Sequence, residues 1–302
     1  MPPHRSILCP IDFSEPSRQA LAWAEDLAAK RQARLIVLSA VDPLLAETAR
    51  TRFDLDLVRT DTGPALREFV AGTRPAARSH PADTTFDVRV GDAAEVILEV
   101  AAAERPDLLV LGTHGLGGVR KWLLGSTTER VLRRTRVPVL AVPPVEDDLL
   151  PAAGGLAAVR RILAATDFSD AAGRAVAWAA DFAAELEVPL LLAHVVAPIA
   201  VLPQWALYLD EADQARAADA ERRMEQLASS LRPRVPCDVA VRLGPPAETI
   251  PALAGQRGAG VIVMGLASDQ GPFSPRPGSI AYRVVCAGPV PVVVVPTLIY
   301  ST

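Results

Sequence analysis

The sequence predicts an α/β protein made of two similar domains, each a parallel sheet covered by helices. Three observations predict it. Short, continuously apolar runs such as residues 107–111 and 137–142 read as strands buried on both faces, and they alternate with helical patterns. Half of the 302 residues are hydrophobic, mostly Ala, Val and Leu, while 5% are aromatic, which suits parallel strands packed under Ala-rich helices. The second half also repeats the first: Asp12 matches Asp167 and Trp23 matches Trp178, each 155 positions apart.

Taken in order, residues 6–14 read as a first strand ending in the turn Asp12-Phe13-Ser14. A helix over residues 15–31 follows, with Ala20, Leu21, Trp23, Ala24 and Leu27 inward. Residues 161–169 repeat the strand, and Ala175, Val176, Trp178, Ala179 and Phe182 repeat the helix face. Residues 35–43 form a second strand ending at Val41, paired in the repeat with 190–198. The next crossover is long, residues 45–81, with a helix over 64–77; a third strand covers 86–90, and Asp92 is placed to cap the helix after it. The second half answers with a helix over 210–231, a strand over 238–243 and a helix over 246–255. From there the offset is 153, pairing Gly91 with Gly244, Glu95 with Glu248, Gly112 with Gly265 and Gly125 with Gly278. Strands alternating with helices imply parallel sheets with right-handed crossovers. The expected domains are residues 1–145 and 158–302, joined by a Pro-, Gly- and acid-containing linker over 146–157.

Composition removes several function classes. A formal net charge of −4, with 31 basic and 35 acidic side chains, gives no field for nucleic acid. Cys9, Cys237 and Cys286 are odd in number and lie in apolar surroundings, so buried inert thiols in a reducing compartment are expected. The first residues carry no leader pattern, and the uncharged stretch 188–209 is broken by Pro189, Pro198 and Pro203, so the expectation is a cytoplasmic chain without a membrane span. There is no Gly-x-x-x-x-Gly-Lys-Ser/Thr loop, no Gly-x-Ser-x-Gly elbow and no His-Glu-x-x-His pattern. His4, His80, His114 and His194 stand at no metal-ligand spacing.

What carries chemistry is the Gly-rich loop between the strand 107–111 and the helix that ends at Arg134. Glycine lets backbone approach a ligand, and the helix start that follows favours an anion. Gly112, Gly115 and Gly125 followed by Ser126 have the spacing Gly, two residues, Gly, nine residues, Gly, Ser. With Asp12 at the end of the first strand and the closing strand Val137-Pro138-Val139-Leu140-Ala141-Val142-Pro143, this resembles the universal stress protein family, in its tandem form with two domains in one chain.

The resemblance implies two flavodoxin-like domains of the adenine nucleotide α-hydrolase-like type, each a five-stranded sheet in the order 3-2-1-4-5 with helices on both faces. It implies ATP, with Mg²⁺ where the phosphates are metal-bound, at the carboxyl ends of the strands, where the switch-point rule also places a ligand. On that reading Gly112, Gly115 and Gly125 wrap ribose and phosphates, with turn-making as their alternative; Thr113, His114 and Gly117 share the loop, His114 either facing the phosphates or merely solvated; and Ser126 and Thr127 donate to phosphate oxygens, a role compatible with capping the helix. Pro10, Ile11 and Asp12 border the nucleoside, with helix capping as the alternative role for Asp12, and the backbone of Val41 holds adenine. In the second copy Asp167, Gly265, Gly278 and Ser279 keep their places, but Ser268 replaces the middle glycine and Pro272, Pro275 and Pro277 follow it, so a degenerate site is expected there. The apolar last strands, 137–142 and 290–295, are expected to pair the two domains as an internal pseudo-dimer, with homodimerisation open. The function implied is an ATP-binding stress sensor or regulator, at most a weak ATPase. A nucleotide-free interaction or scaffold protein of the same fold is the alternative. An enzyme of the related nucleotide-activating type would need Ser-Gly-Gly-x-Asp-Ser where Cys9-Pro10-Ile11-Asp12-Phe13-Ser14 stands.

Overall fold

The computed structural model describes residues 5–73, 81, 83–114, 124–144, 151–198, 209–266 and 279–297. Two compact units divide the chain, one running to Ala157 and the other spanning Ala158–Thr297. The first unit is built from β1 (Ser6–Pro10), α1 (Glu15–Arg31), β2 (Arg34–Val41), α2 (Pro43–Phe53), a π-helical turn (Leu57–Thr62), α3 (Gly63–Ala71), β3 (Thr84–Val90), α4 (Ala93–Glu104), β4 (Leu108–Gly112), α5 (Ser126–Arg134) and β5 (Val139–Val142). Its strands are all parallel in the order β3-β2-β1-β4-β5, the flavodoxin-like sheet. α1 touches α3 while α4 packs on α5. Right-handed crossovers that step one way from β1 to β3 and the other way from β4 to β5 place those two helix pairs on opposite faces.

The second unit repeats this plan with β6 (Ile162–Ala165), α6 (Asp170–Leu186), β7 (Leu190–Val196), α7 (Leu209–Leu231), β8 (Cys237–Leu243), α8 (Pro246–Gln256), β9 (Val261–Leu266), α9 (Ser279–Ala287) and β10 (Val292–Pro296). Its order is β8-β7-β6-β9-β10, again all parallel. The end of the expected linker and the residue after it, Pro151–Ala158, form short 3₁₀ turns joined at Gly155.

Local chemistry explains the element ends. α1 starts at the Ser14 cap with Pro16 in its first turn and stops at Gln32 in the left-handed region. Its predicted face, Ala20, Leu21, Trp23, Ala24 and Leu27, is buried. In α6 the matching Ala175, Val176, Ala179 and Phe182 are buried, but Trp178 is half-exposed and stacks on Phe182 at 4.9 Å. The indole therefore shields its neighbour instead of filling the core as Trp23 does.

The long crossover departs from expectation. α2 was not foreseen, and α3 ends at Ala71 instead of continuing to residue 77. α2 is capped by Asp42, which accepts from the Leu44 and Leu45 N–H groups, yet Ala49 is its one buried residue, so no apolar stripe marks it in the sequence.

Cys9 and Cys237 are buried as expected, whereas Cys286 is half-buried. Burial and then the neighbouring Glu25 carboxylate push the Cys9 thiol far above its ordinary value, and burial pushes Cys237 up to about 11. Alkylation of the native protein is expected to begin at Cys286 and to reach Cys9 only on unfolding. Rapid native labelling of Cys9, read by peptide mass spectrometry, would contradict this packing.

Candidate functional site

β1 and β4 lie side by side, with Ile7 opposite Leu108 and Leu8 opposite Leu109, and the strand order reverses between them. A doubly wound sheet opens its crevice at the carboxyl ends of such a pair. Three segments arrive there: the turn after β1, the end of β4 and the start of α5.

The turn after β1 is held by its own side chains. Ile11 N–H donates to the Leu38 carbonyl at 2.7 Å, which carries the pairing of β1 with β2 one step past Pro10. Asp12 Oδ1 accepts from the Ser14 N–H at 3.0 Å and from the Ser14 hydroxyl. Ser14 Oγ accepts in turn from Ser17 N–H at 3.3 Å. The cap of α1 is thus Ser14, and Asp12 buttresses it with one oxygen, leaving Oδ2 without a partner among the described residues.

Phe13 between them has φ 64, where a bulky residue costs about 1–3 kcal/mol. The Asp12–Ser14 bonds and an edge-on contact of Phe13 with Phe69 at 5.5 Å offset that cost. The second unit reproduces the device: Phe168 has φ 64, Asp167 accepts from Ser169 N–H at 2.9 Å, and Ser169 caps α6. Phe168 packs against His194, with ring centroids 4.6 Å apart, and Arg223 lies 3.8 Å over it. Phe13 and Ser14 are the site residues that sequence reasoning passed over. The Asp-Phe-Ser repeated in both halves was the signal for them.

At the end of β4, Gly112 has a packing reason of its own. A Cβ there would lie 2.9 Å from the backbone carbonyl carbon and oxygen of Pro16, and at Gly265 one would lie 2.6 Å from those of Ala171. In both units the strand end presses on the first turn of the helix that follows the first strand. Thr113 is buried; its N–H donates to Val142, its carbonyl accepts from Gly125 N–H, and its hydroxyl shares a hydrogen bond with His114 Nδ1, each at 2.9 Å.

Gly125 precedes α5 with φ −57 and ψ 140 and offers no side-chain cap. α1, α2, α4 and α6 begin with Ser14, Asp42, Asp92 and Ser169 as hydrogen-bonding caps. The first N–H groups of α5, beside the Ser126 and Thr127 hydroxyls, lack a side-chain acceptor of this kind, as do those of α3 and α8; α5 is the uncapped start that lies at the switch point.

Gly112, Thr113 and Gly125 are joined directly, since the Gly112 carbonyl also accepts from Thr128 Oγ1 at 2.9 Å. Val41 ends β2 opposite Val90, and its carbonyl accepts from Gly91 N–H at 3.0 Å. Gly115, Gly117 and Gly278 lie outside the described residues, and of Ser279 only the backbone, opening α9, is described.

The flank of α5 carries an ion-pair network. Arg130 spans Asp92 Oδ2 at 2.8 Å and Glu95 Oε1 at 2.9 Å, and Arg134 grips both oxygens of Glu95. The Arg130 hydrogen bond and then the Glu95 N–H hold the Asp92 carboxyl below its ordinary 3.8, and Arg134 holds Glu95 below 4.5. Groups with depressed folded values stabilise the fold above the unfolded values and lose that contribution as pH falls through the folded ones. The melting temperature of the first domain is therefore expected to drop below about pH 4 more steeply in the native protein than in Glu95→Gln. Parallel acid profiles would show that the network is not felt.

Among the described residues no three His, Cys, Asp or Glu gather as for a metal ion, and no helix is long and apolar enough to cross a membrane.

Two copies of a doubly wound parallel sheet, each with a glycine at the strand-to-helix turn beside the switch point, define a tandem α/β protein of the doubly wound class. The model of the Universal stress protein family matches residues 3–143 and again 158–296, and the chain belongs to that family. A universal stress protein of Thermus aquaticus is 33% identical over 138 residues, covering 46% of this chain and 98% of its own. The crystal structure of a universal stress protein from Archaeoglobus fulgidus superposes with a TM-score of 0.64 at 22% identity, covering 96% of this chain and 97% of its own. A further solved universal stress protein, in complex with cAMP, is 26% identical over 46% of this chain and 97% of its own, with a TM-score of 0.34.

Proposed function

We propose that the first domain binds ATP and that the protein is a stress-response sensor or regulator with slow or no hydrolysis. The observation that carries this reading is the uncapped start of α5 at the switch point, with Ser126 and Thr127 in its first turn. Open N–H groups, two hydroxyls and the positive helix end fit a phosphate chain. Asp12 Oδ2 is the oxygen available to the nucleoside or to a phosphate-bound Mg²⁺, and the Pro10–Ile11 and Val41 backbone borders the base. When bound, the nucleotide supplies the negative charge that these groups are arranged to meet. Among the described residues Asp12 is hydrogen-bonded to Ser14 and to no second carboxylate or imidazole, so a turnover above roughly 1 s⁻¹, the low end of ordinary enzymes, would contradict a sensor.

The second domain is read as a structural copy. At the aligned positions Thr113 has become Leu266, Thr127 has become Ile280 and Thr128 has become Ala281, so three hydroxyls are lost while Ser279 keeps that of Ser126. Gly265 survives, but its contact with Ala171 gives it a packing reason independent of any ligand. From the sequence, the apolar segments 137–142 and 290–295 are proposed to pair the two domains, in the cytoplasm, with homodimerisation a further possibility for solution measurement.

The packing role of Gly112 favours a second reading, a nucleotide-free interaction protein of the same fold. Equilibrium dialysis of the intact chain against ATP separates the two. Saturable binding is expected, and none at millimolar ATP would leave the interaction protein standing.

A further inference from the structure

We infer that Arg130 and Arg134, acting through Asp92 and Glu95, are positioning residues that hold the start of α5 in place for the phosphate end of the ligand. This rests on the reading of the first domain as the nucleotide site.

α5 has nine residues and no side-chain cap, so its own hydrogen bonds fix its start weakly. What fixes it comes from outside. Gly125 N–H and Thr128 Oγ1 tie its first turn to Thr113 and Gly112 at the end of β4. Arg130 and Arg134, one turn apart on a single face, then clamp its flank to α4. Asp92 is itself the α4 cap: Oδ1 accepts from Glu95 N–H at 3.1 Å while Oδ2 takes Arg130. The clamp therefore joins one helix start to the side of the helix whose start faces the ligand. Its side chains are 41 to 53% exposed, and isolated ion pairs at such sites stabilise little; a four-member network with forked guanidinium geometry chiefly fixes geometry.

The second unit is an internal control. α9 is nine residues long, as α5 is, yet Asp92 is matched by Pro245, Arg134 by Ala287 and Thr128 by Ala281. Of the clamp, the pair Arg283–Glu248 persists at 3.3 Å among the described residues. Helix formation there does not need the network. The network is cut to that one pair in the same copy in which Thr127 has become Ile280, although Ser279 keeps the hydroxyl of Ser126.

A device that positions phosphate donors must act on the phosphates and spare the nucleoside. The test is to titrate the full-length chain with ATP and separately with adenosine, in the native protein, in Arg130→Gln/Arg134→Gln and in Arg130→Lys/Arg134→Gln, with the melting curve of each recorded. ATP binding is expected to weaken about fivefold to tenfold in the double Gln variant, adenosine binding by less than about twofold, and the Lys variant to recover part of the loss, since displaced donors lose part of their interaction while the base keeps its contacts. An unchanged ratio of ATP to adenosine affinity overturns the inference, whether both ligands hold or both weaken in parallel as general destabilisation would make them. If the native protein binds neither ligand, the reading of the site fails first and takes this inference with it.

Discussion

Gly125→Val is expected to leave the first domain folded and to weaken its nucleotide binding by at least about a hundredfold, equivalent to about 3 kcal/mol. The reasoning starts from the backbone. At φ −57 and ψ 140, Gly125 occupies a conformation open to every residue, so neither strain nor a left-handed turn demands glycine there. Valine tolerates that region, and as a helix N-cap it costs about 1 kcal/mol or less relative to glycine. What the missing side chain protects is the approach to the first N–H groups of α5, which no cap occupies. If the first domain holds ATP as proposed, a branched side chain at that point would compete with the phosphate chain for the same space. The matching change in the second copy, Gly278→Val, is expected to alter nucleotide stoichiometry little. Calorimetric titration of both variants checks the pair, and equal loss from the two would show that the second copy is a live site.

Gly112→Ala is expected to act in the opposite sense, on the fold more than on the ligand. Its added Cβ would lie 2.9 Å from the Pro16 carbonyl, which is backbone at the start of α1 and cannot rotate away. Relieving such overpacking costs about 1–3 kcal/mol, which lowers the melting temperature of a domain of this size by about 3–10 °C. Gly265→Ala, against Ala171 at 2.6 Å, is expected to destabilise the second unit at least as much, although that copy is read as ligand-free. Scanning calorimetry of the full chain reads both. If Gly265→Ala leaves the second transition unmoved, the packing account of the shared glycine is wrong.

Those two glycines show what a sequence can and cannot convey. Their spacing marks both, but it cannot tell a glycine needed because another helix is close from one needed because nothing should be. The parallel strands and the repeat were legible because a strand buried on both faces leaves a continuous apolar run, and a duplication leaves Asp12 and Asp167 in register. α2 was not legible, because a helix that buries only Ala49 writes no periodic stripe. The Ser14 cap was hidden behind Asp12, since either residue type caps a helix and the choice is made by the left-handed turn at Phe13. Trp178 looked like Trp23 because residue type was matched while burial was not. The clamp on α5 was out of reach for another reason: Asp92 and Arg130 stand 38 positions apart and meet only once α4 and α5 pack on the same face of the sheet.

The most direct measurement is the amount of adenine nucleotide per chain, obtained by saturating the purified full-length protein with ATP, removing free ligand, denaturing the protein and quantifying what is released by mass spectrometry. One nucleotide per chain, lost in Gly125→Val and kept in Gly278→Val, is the predicted result. No nucleotide, or two per chain, would contradict a protein with one working site and one structural copy.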